Sequence, residues 1–420
     1  MHPSSARDRS VAIAGFGVVT PLGVDVETTW AQLKAGCSGV GTISKFDARG
    51  FQVQIAGEVR SLTGRYHSTF LDDDALTSKE EIVWRALDEA MDSAGLSKSK
   101  LDGYRVGVFS GCENEGTDQL GLFSAYDAAV SDATRDAVAF QHDLDLVARR
   151  ADAIARRVAG RLHSPVVVAN YAMACAAGAV AITQAVRWIR RGRIDCAIVI
   201  GADTPINSGT LHGFQLLDAL STQNENPAAA SRPFDGERDG FVLAEGAAVL
   251  VLLAPHIRAG RNTHFPRIIG VGMSNNRHHF TNTPRSGEQA ALAMALALHD
   301  ASLSPDDIDY INAHGTSTDV GDVGETSAIR RVFRRPPPVS STKSMTGHLV
   351  AAAGAAELIF TCLAVTRGFL PPTINQTTAD SDCDLDYIAN QGRVAMDARR
   401  AMSNSFGFGG TNISIIVERA

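Results

Sequence analysis

Two alanine- and glycine-rich segments of equal length occur in the chain, one in each half. The first runs from Ala176 to Gly192 (AAGAVAITQAVRWIRRG) and the second from Ala352 to Gly368 (AAGAAELIFTCLAVTRG). Both open with AAGA and close with RG, and upstream of them GFG and FSG in the first half match GVG and AHG in the second, in the same order. Ordered agreement predicts a duplicated fold, with one half spanning residues 1–255 and the other residues 256–420.

The hydrophobic pattern indicates the class of fold that is duplicated. Short runs rich in valine and isoleucine, such as VAIAGFGVV, CAIVIGAD and NISIIVE, alternate with alanine-rich helical runs. This alternation is typical of layered α/β structure with buried strands. Each repeated segment is predicted to be a buried helix that follows a strand and ends with a basic residue and a glycine.

Composition excludes several classes of protein. A formal net charge of −7 gives no general attraction to nucleic acid. The apolar run from Val166 to Ile182 approaches membrane-spanning length, but it contains Asn170 and changes from a strand-like to a helix-like pattern, so we expect no membrane association. The six cysteines form no CxxC pair, and residues 1–10 make a poor signal peptide, so a reducing cytoplasm is the expected location.

Cys175 stands directly before the first repeated helix. Unpaired N–H groups and the positive end of the helix dipole stabilise a thiolate there, which would make Cys175 a nucleophile. The alternative is plain packing, since free cysteine is among the most buried residue types. Cys196 and Cys362, within apolar elements, fit packing better.

Two histidines favour the reactive interpretation. His314 ends an apolar strand in NAHGTSTDVGD, and His348 lies in KSMTGHL at the start of the second repeated helix. Strand ends and helix starts meet at one edge of an α/β sheet, where active sites form. Lys343, in the same motif as His348, could orient a histidine, bias the local charge or cap carbonyl groups of the preceding loop. NSFGFGGTN predicts a glycine turn whose N–H groups point into a site, with Phe406 and Phe408 as a gate.

Five separated motifs together resemble the β-ketoacyl-acyl-carrier-protein synthases, the condensing enzymes of the thiolase superfamily. They are MACAAG, ASRPFDGERDGFVLAEGAA, NAHGTSTDVGD, SSTKSMTGH and NSFGFGGTN, and they span nearly the whole chain. The resemblance implies a thiolase-like duplicated five-layered α/β/α/β/α fold and usually a dimer. It also implies an acyltransferase that accepts an acyl chain from acyl carrier protein and condenses it with malonyl-carrier protein, in fatty-acid or type II polyketide biosynthesis. No redox cofactor is implied.

The resemblance assigns roles to single residues. Cys175 would carry the acyl group, His314 and His348 would stabilise the charge formed on decarboxylation, and Lys343 would support the histidine pair. The backbone N–H groups of Cys175 and Phe408 would form an oxyanion hole. The resemblance also implies that Thr316 and Thr318 line the pantetheine channel. It implies that Glu357 is a buried carboxylate near the site, which holds a structural cation together with Asn404 or anchors internal hydrogen bonds.

Two departures from the family pattern concern the substrate and the carrier. Where relatives often have an apolar residue and paired glycines lining the acyl pocket, this chain has Cys112, Glu113 and Asn114. The segment FLDDDALTSKEE is acidic where relatives often carry basic docking residues, so carrier docking is expected to use other basic groups, among Arg149, Arg150, Arg190 and Arg191, or a second subunit. Both departures favour a specialised polyketide or polyene system, whereas SRPFDGERDGFVLAEGAA and STKSMTGH favour the elongation enzymes.

Besides a self-contained condensing enzyme, the sequence leaves three alternatives: the catalytic subunit of a heterodimer, a degradative thiolase and a non-catalytic subunit. The chain is expected to form a homodimer or a heterodimer with a related, non-catalytic chain-length subunit. A degradative thiolase is disfavoured because NSFGFGG supplies no second cysteine. A non-catalytic subunit is disfavoured because Cys175, His314 and His348 are all present.

Overall fold

The computed structural model describes residues 10–62, 66–75, 77–113, 150–163, 165–257, 266–279 and 281–420. The strands of these residues are β1 (Val11–Val19), β2 (Val40–Thr42), β3 (Ile55–Gly57), β4 (His67–Ser68), β5 (Asp73–Asp74), β6 (Val106–Cys112), β7 (Pro165–Asn170), β8 (Cys196–Asp203), β9 (Gly246–Leu253), β10 (Arg267–Asn275), β11 (Tyr310–Asn312), β12 (Val339–Ser340), β13 (Phe369–Leu370), β14 (Arg393–Val394), β15 (Arg400–Phe406) and β16 (Thr411–Glu418). Their helices are α1 (Val26–Ala35), α2 (Ser78–Ala94), α3 (Lys98–Leu101), α4 (Ala153–Ala159), α5 (Ala177–Arg190), α6 (Ser208–Leu216), α7 (Glu288–Ala301), α8 (Asp319–Val332), α9 (Lys343–Thr346) and α10 (Ala353–Arg367).

The strand order shows the duplication directly. The first half contributes β1-β9-β8-β6-β7 and the second half contributes β10-β16-β15-β11-β12, so each strand has a counterpart at the same place. Parallel and antiparallel pairings correspond as well, since β6 is parallel to β7 and β8, and β11 is parallel to β12 and β15. The two sets are joined by a short antiparallel pairing of β1 with β10, at Val11 with Ile268 and Ala12 with Arg267.

Helices and strands form five layers, as the resemblance implied. α5 and α10 lie together in the central layer, and apolar residues from both sets of strands pack around them in one core cluster. A second cluster joins α2 and α4 to the outer face of the first set, and a third joins α7 and α8 to the outer face of the second. The layered α/β prediction is confirmed.

The glycines of GFG and GVG explain why these short motifs recur. A Cβ added at Gly17 would lie 2.1 Å from the carbonyl oxygen of Ala86 in α2, and one added at Gly272 would lie 2.0 Å from that of Ala293 in α7. Each motif therefore allows an outer helix to approach the first strand of its half at backbone distance.

The two repeated segments fold alike. Each begins with a single 3₁₀ turn, Ala174–Ala176 in the first half and Val350–Ala352 in the second, and continues as α5 or α10. The glycine that closes each segment takes a left-handed conformation, with φ of 63° at Gly192 and 62° at Gly368. The predicted buried helices, with their basic last turns and closing glycines, are confirmed.

Two further segments bear on the sequence predictions. The apolar run from Val166 to Ile182 is divided between strand β7, the first 3₁₀ turn and α5. Among the described residues, one helical stretch, Val350–Arg367, has the length and apolar composition of a membrane span, and 89% of it is buried inside the protein. β9 ends at Leu253 and β10 begins at Arg267, so the first set of strands ends before the second begins, and the exact boundary at residue 256 stays a prediction.

Candidate active site

A cavity of about 340 Å³ opens where the ends of both halves meet. It brings together most of the residues singled out in the sequence: Cys175, His314, Thr316, Thr318, His348, Phe406 and Phe408. These residues come from four separate segments of the chain. The predicted convergence of the cysteine and both histidines is therefore present.

Cys175 lies in the 3₁₀ turn ahead of α5, with 6% of its surface exposed. Burial raises the pKa of its thiol to about 12, and the Lys343 ammonium and hydrogen bonds from the N–H groups of Phe408 and Cys175 itself oppose that rise. In the free site the net shift of the thiol pKa is upward, because desolvation is the largest influence on it. The same two N–H groups converge on the reacting sulfur, so they lie close to the carbonyl oxygen of a thioester that the sulfur attacks.

His314 and His348 face each other across the cavity, with ring centroids 5.5 Å apart. Burial and the nearby Lys343 ammonium lower the pKa of both imidazoles well below the usual value, so both are neutral at physiological pH. His348 Nδ1 accepts a hydrogen bond from the N–H of Val350 at 3.2 Å. Its proton is therefore on Nε2, which is buried and accepts or donates no hydrogen bond among the described residues.

The loop that carries His314 is fixed by two carboxylates that the sequence analysis did not single out. Glu325 accepts hydrogen bonds from the N–H groups of His314 (2.9 Å) and Gly315 (2.7 Å), and Asp322 accepts from that of Thr316 (3.0 Å). Both carboxylates are on α8 and fully or almost fully buried, and burial raises both their pKa values, that of Asp322 to about 7. Their spacing of three residues was the available signal, since that spacing puts two side chains on one face of a helix.

Lys343 and Glu357 form a buried ion pair beside the histidines. Burial raises the pKa of Glu357 to about 7, and the Lys343 ammonium opposes that rise. Asn404 does not join Glu357: its Nδ2 donates to Glu325 at 3.1 Å and its Oδ1 accepts from Ser414 at 2.8 Å. Glu357 and Asn404 thus have different partners in these contacts; both anchor internal bonds, and a cation held by the pair stays a prediction.

One oxygen of Glu357 nevertheless has no hydrogen-bond donor among the described residues, and neither do the buried Oδ1 atoms of Asn312 and Asn412. Oxygen ligands of this kind suit a hard cation. The described residues contain no group of three or more histidine, cysteine or acidic side chains able to hold a metal.

The glycine turn between β15 and β16 places the two phenylalanines on either side of the site. Phe406 is buried, with its ring 5.7 Å from that of His314, while Phe408 is half-buried against Phe214 at 6.4 Å. Gly409 and Gly410 have φ of 82° and 86°, which only glycine adopts readily, so they let the chain turn back immediately after Phe408.

The polar mouth of the cavity contains Thr316 and Thr318, whose hydroxyls lie 3.0 Å apart. Hydroxyls in such a position can exchange hydrogen bonds with polar groups of a ligand, and the expected role of both threonines in a pantetheine channel stays a prediction.

The three residues predicted to shape an acyl pocket behave differently from one another. Cys112 is fully buried in the outer core of the first half and lines no part of the described cavity. Glu113 turns toward the nucleophile, where its Oε1 accepts a hydrogen bond from the N–H of Ala174 at 2.7 Å. Asn114 lies outside the described residues.

The basic residues expected to dock a carrier differ in whether they are exposed at the surface. Arg190 is bound to Asp300 in a largely buried ion pair and is not available at the surface. Arg191 is exposed, Arg150 is exposed and pairs with Asp152, and Arg149 lies outside the described residues. In the acidic segment, Asp73 is paired with Arg157 (2.8 Å) and Arg161 (2.7 Å), so part of its charge is neutralised.

Both halves of the chain match models of one protein family. The family model "Beta-ketoacyl synthase, N-terminal domain" matches residues 8–255, and "Beta-ketoacyl synthase, C-terminal domain" matches residues 266–377. A 3-oxoacyl-[acyl-carrier-protein] synthase 2 of Coxiella burnetii is 38% identical, with 98% of this chain and 99% of that protein covered. One of Vibrio cholerae is 34% identical at the same coverage.

Solved structures agree. A type II polyketide ketosynthase bound to a hexaketide, in complex with its acyl-carrier protein, matches with a TM-score of 0.85 and 33% identity, over 98% of this chain and 100% of that one. The ishigamide ketosynthase/chain length factor matches with a TM-score of 0.83 and 33% identity, at the same coverage.

Proposed function

This chain belongs to the β-ketoacyl synthase family and is a condensing acyltransferase, and from that premise we propose how its own residues carry out the reaction. Cys175 accepts an acyl chain from acyl carrier protein, and the acyl-enzyme is then extended with malonyl-carrier protein. The observation that carries this proposal is the convergence of the Cys175 sulfur, two neutral histidines and two backbone N–H groups on one cavity.

The first step is transthioesterification. The Cys175 sulfur attacks the thioester carbonyl, the bond between that carbonyl and the pantetheine sulfur breaks, and the proton lost by Cys175 leaves on the pantetheine thiol. Negative charge forms on the carbonyl oxygen in the tetrahedral intermediate. The N–H groups of Cys175 and Phe408, which converge on the sulfur, stabilise this charge.

The second step is decarboxylation of the malonyl group. The bond to the carboxylate breaks, CO2 leaves, and the electron pair delocalises onto the thioester oxygen as an enolate. His348 presents its Nε2 proton to that oxygen, because its Nδ1 is already an acceptor for Val350. His314 supplies the second donor from the opposite wall.

The third step forms the carbon–carbon bond. The enolate carbon attacks the acyl thioester on Cys175, the oxyanion again lies between the N–H groups of Cys175 and Phe408, and collapse releases the Cys175 sulfur. The overall reaction is redox-neutral, so its electron balance calls for no redox cofactor. All six cysteines are free, in keeping with a reducing cytoplasm.

Cys175→Ala tests the acyl-carrying role. Cys175 is the one cysteine among the described residues that line the cavity, so intact-protein mass spectrometry after incubation with acyl-carrier protein is expected to show no covalent adduct. Cys37→Ala, which changes a half-exposed cysteine, is the control and should acylate normally. An adduct of undiminished yield on Cys175→Ala would refute the proposal.

His314→Ala and His348→Ala separate the two half-reactions. Each variant is expected to keep acylation of Cys175 and to lose malonyl decarboxylation by about 10²–10³-fold, the usual effect of removing one oxyanion donor. Release of CO2 from malonyl-carrier protein is the measurement. His299→Ala, an exposed histidine at the end of α7, should decarboxylate at the normal rate; normal CO2 release by either cavity variant would contradict the assigned roles.

The partner proposal goes beyond the family assignment. We propose that acyl carrier protein is the substrate-bearing partner, as in the complex whose structure this chain matches. We also propose a dimer, either with a second copy or with a related chain-length subunit. The second form is favoured by the match to a ketosynthase/chain length factor.

A further inference from the structure

The residue directly before the nucleophile has an unusual backbone conformation. Ala174 has a φ of 47°, in the left-handed region that costs energy for any residue with a Cβ. Its N–H donates to Glu113 Oε1 at 2.7 Å, and Glu113 directly follows strand β6. The Glu113 side chain, at the end of strand β6, therefore holds the turn that contains Cys175.

Lys79 holds Glu113 in turn. The Lys79 side chain is almost fully buried at the start of α2, and its Nζ donates to the carbonyl oxygen of Glu113 at 3.1 Å. The Lys79 Nζ also lies 4.0 Å from Oδ1 of Asp203, whose side chain is buried. Burial raises the pKa of Glu113, while the N–H of Ala174 and the charge of Lys79 oppose that rise and favour an ionised acceptor.

The second half of the molecule shows what the turn requires. Val350, the counterpart of Ala174 at the start of the other 3₁₀ turn, has a φ of 46°. Its N–H is accepted by His348 Nδ1, and the following N–H, of Ala351, by Asp203 at 3.3 Å. The position that corresponds to His348 in the first half is Ala172, which has no side-chain acceptor. An acceptor for Ala174 must therefore come from outside the turn.

We propose that Glu113 is a positioning residue for Cys175, acting as the acceptor that holds Ala174 in its left-handed conformation and thereby aims the sulfur and the N–H of Cys175 into the cavity. This inference deepens the proposed function, since it takes Cys175 as the nucleophile. A role of Glu113 in lining an acyl pocket stays a separate prediction.

The test compares two substitutions at one position. Glu113→Leu removes the acceptor, whereas Glu113→Gln keeps a carbonyl oxygen of the same reach. The rate of alkylation of Cys175 by iodoacetamide, followed by peptide mass spectrometry at fixed pH, is expected to fall roughly tenfold or more in Glu113→Leu and to stay within about threefold of the unsubstituted protein in Glu113→Gln. Alkylation requires neither carrier nor acyl substrate, so its outcome is independent of the proposed reaction.

A matched control separates positioning from loss of stability. Glu89 is also a half-buried carboxylate, and it accepts hydrogen bonds from the N–H groups of Val18 (3.0 Å) and Val26 (2.8 Å), away from the cavity. Glu89→Leu is expected to lower the melting temperature and leave alkylation of Cys175 unchanged. CO2 release from malonyl-carrier protein by Glu113→Leu should stay within about threefold, because the histidine turn has its own acceptors.

A second-site variant tests the backbone argument itself. Ala174→Gly removes the Cβ that makes a left-handed φ costly, so it should recover a substantial part of the alkylation rate lost in Glu113→Leu. The proposal is overturned if Glu113→Leu alkylates normally, if Glu113→Gln is as slow as Glu113→Leu, if CO2 release falls in parallel with alkylation, or if Ala174→Gly brings no recovery.

Discussion

At the scale of single residues, the charge of Lys343 acts on every reacting group of the site. Its ammonium opposes the burial that raises the pKa of Cys175, and it adds to the burial that lowers the pKa of His314 and His348. Glu357 pairs with it in the same buried region. One cation therefore favours both the thiolate form of the nucleophile and the neutral form of the donors.

The pH dependence of Cys175 follows from its raised pKa. Because the thiol pKa is about 12, the thiolate fraction rises about tenfold with each pH unit below that value. Alkylation of Cys175 by iodoacetamide is expected to increase with a slope near one on logarithmic axes from pH 7 to pH 10. A plateau below pH 8 would show a lowered thiol pKa and contradict this description of the free site.

Lys343→Met is expected to change the pKa of Cys175, His314 and His348, because it removes a positive charge near all three. Without the cation the pKa of Cys175 rises further, so alkylation should slow by roughly tenfold, the order expected for loss of a nearby opposite charge. The pKa of both histidines moves up toward the ordinary value, so they begin to bind protons as the pH falls. Burial still lowers the pKa of both rings in the variant, so imidazole ¹⁵N signals followed from pH 8 downward should show protonation beginning at a higher pH in the variant than in the unsubstituted protein.

At the scale of elements, the contact between α5 and α10 aims both helix starts at one cavity. A Cβ added at Gly178 would lie 2.9 Å from the carbonyl oxygen of Ala351, and one added at Gly354 would lie 2.8 Å from the backbone nitrogen of Ala179. These glycines let the central helices approach at backbone distance. The small residues of the repeat therefore serve packing and reactivity together.

Gly354→Ala tests this contact. Forcing a methyl group into a closely packed helix contact is expected to destabilise the protein by about 1–3 kcal/mol and to slow alkylation of Cys175, because the two 3₁₀ turns are pushed apart. Thermal unfolding and alkylation rates are the measurements. Gly213→Ala, in α6 with open space around its Cα, is the control and should be neutral or slightly stabilising; equal destabilisation by both would refute the argument.

At the scale of the whole molecule, the two edges of the ten-stranded sheet differ. The β12 edge is covered, because the N–H of Val339 donates to the carbonyl oxygen of Asp386 at 2.8 Å. β7 is the opposite edge, with no second neighbouring strand among the described residues, and it exposes Val166 (51%) and Val168 (38%). An apolar strand edge of this kind is a template for pairing with another chain, which supports the proposed dimer.

Val166→Lys tests that interface. A charge on the edge strand is expected to shift the protein from dimer to monomer in sedimentation-velocity experiments at micromolar concentration. Val394→Lys, an exposed valine in the short strand β14, is the control and should leave the dimer intact. If Val166→Lys sediments as a dimer of unchanged stability, β7 is not the interface.

Much of this molecule was predictable because its signals are local or repeated. The duplication, the buried central helices and their closing glycines follow from residue spacing, and Cys175 and His348 stand at helix starts that the AAGA segments mark. Glu325 and Asp322 were missed because their partners are backbone N–H groups of the preceding loop, and the spacing of the two carboxylates does not show which groups they bind. Arg190 was expected at the surface because an arginine pattern does not show whether a carboxylate such as Asp300 lies opposite.

The sequence by itself determined the fold, the family and the identity of the reacting side chains, since periodicity, small-residue spacing and motif order are properties of the chain alone. Only the tertiary structure decided their chemical state. Burial raises the pKa of Cys175 against the effect of its helix terminus, and the hydrogen bond from Val350 fixes the tautomer of His348. The tertiary structure also decided that Glu113 accepts a hydrogen bond from the N–H of Ala174. Desolvation and hydrogen-bond partners depend on which segments the fold brings together, and the order of residues along the chain does not show this.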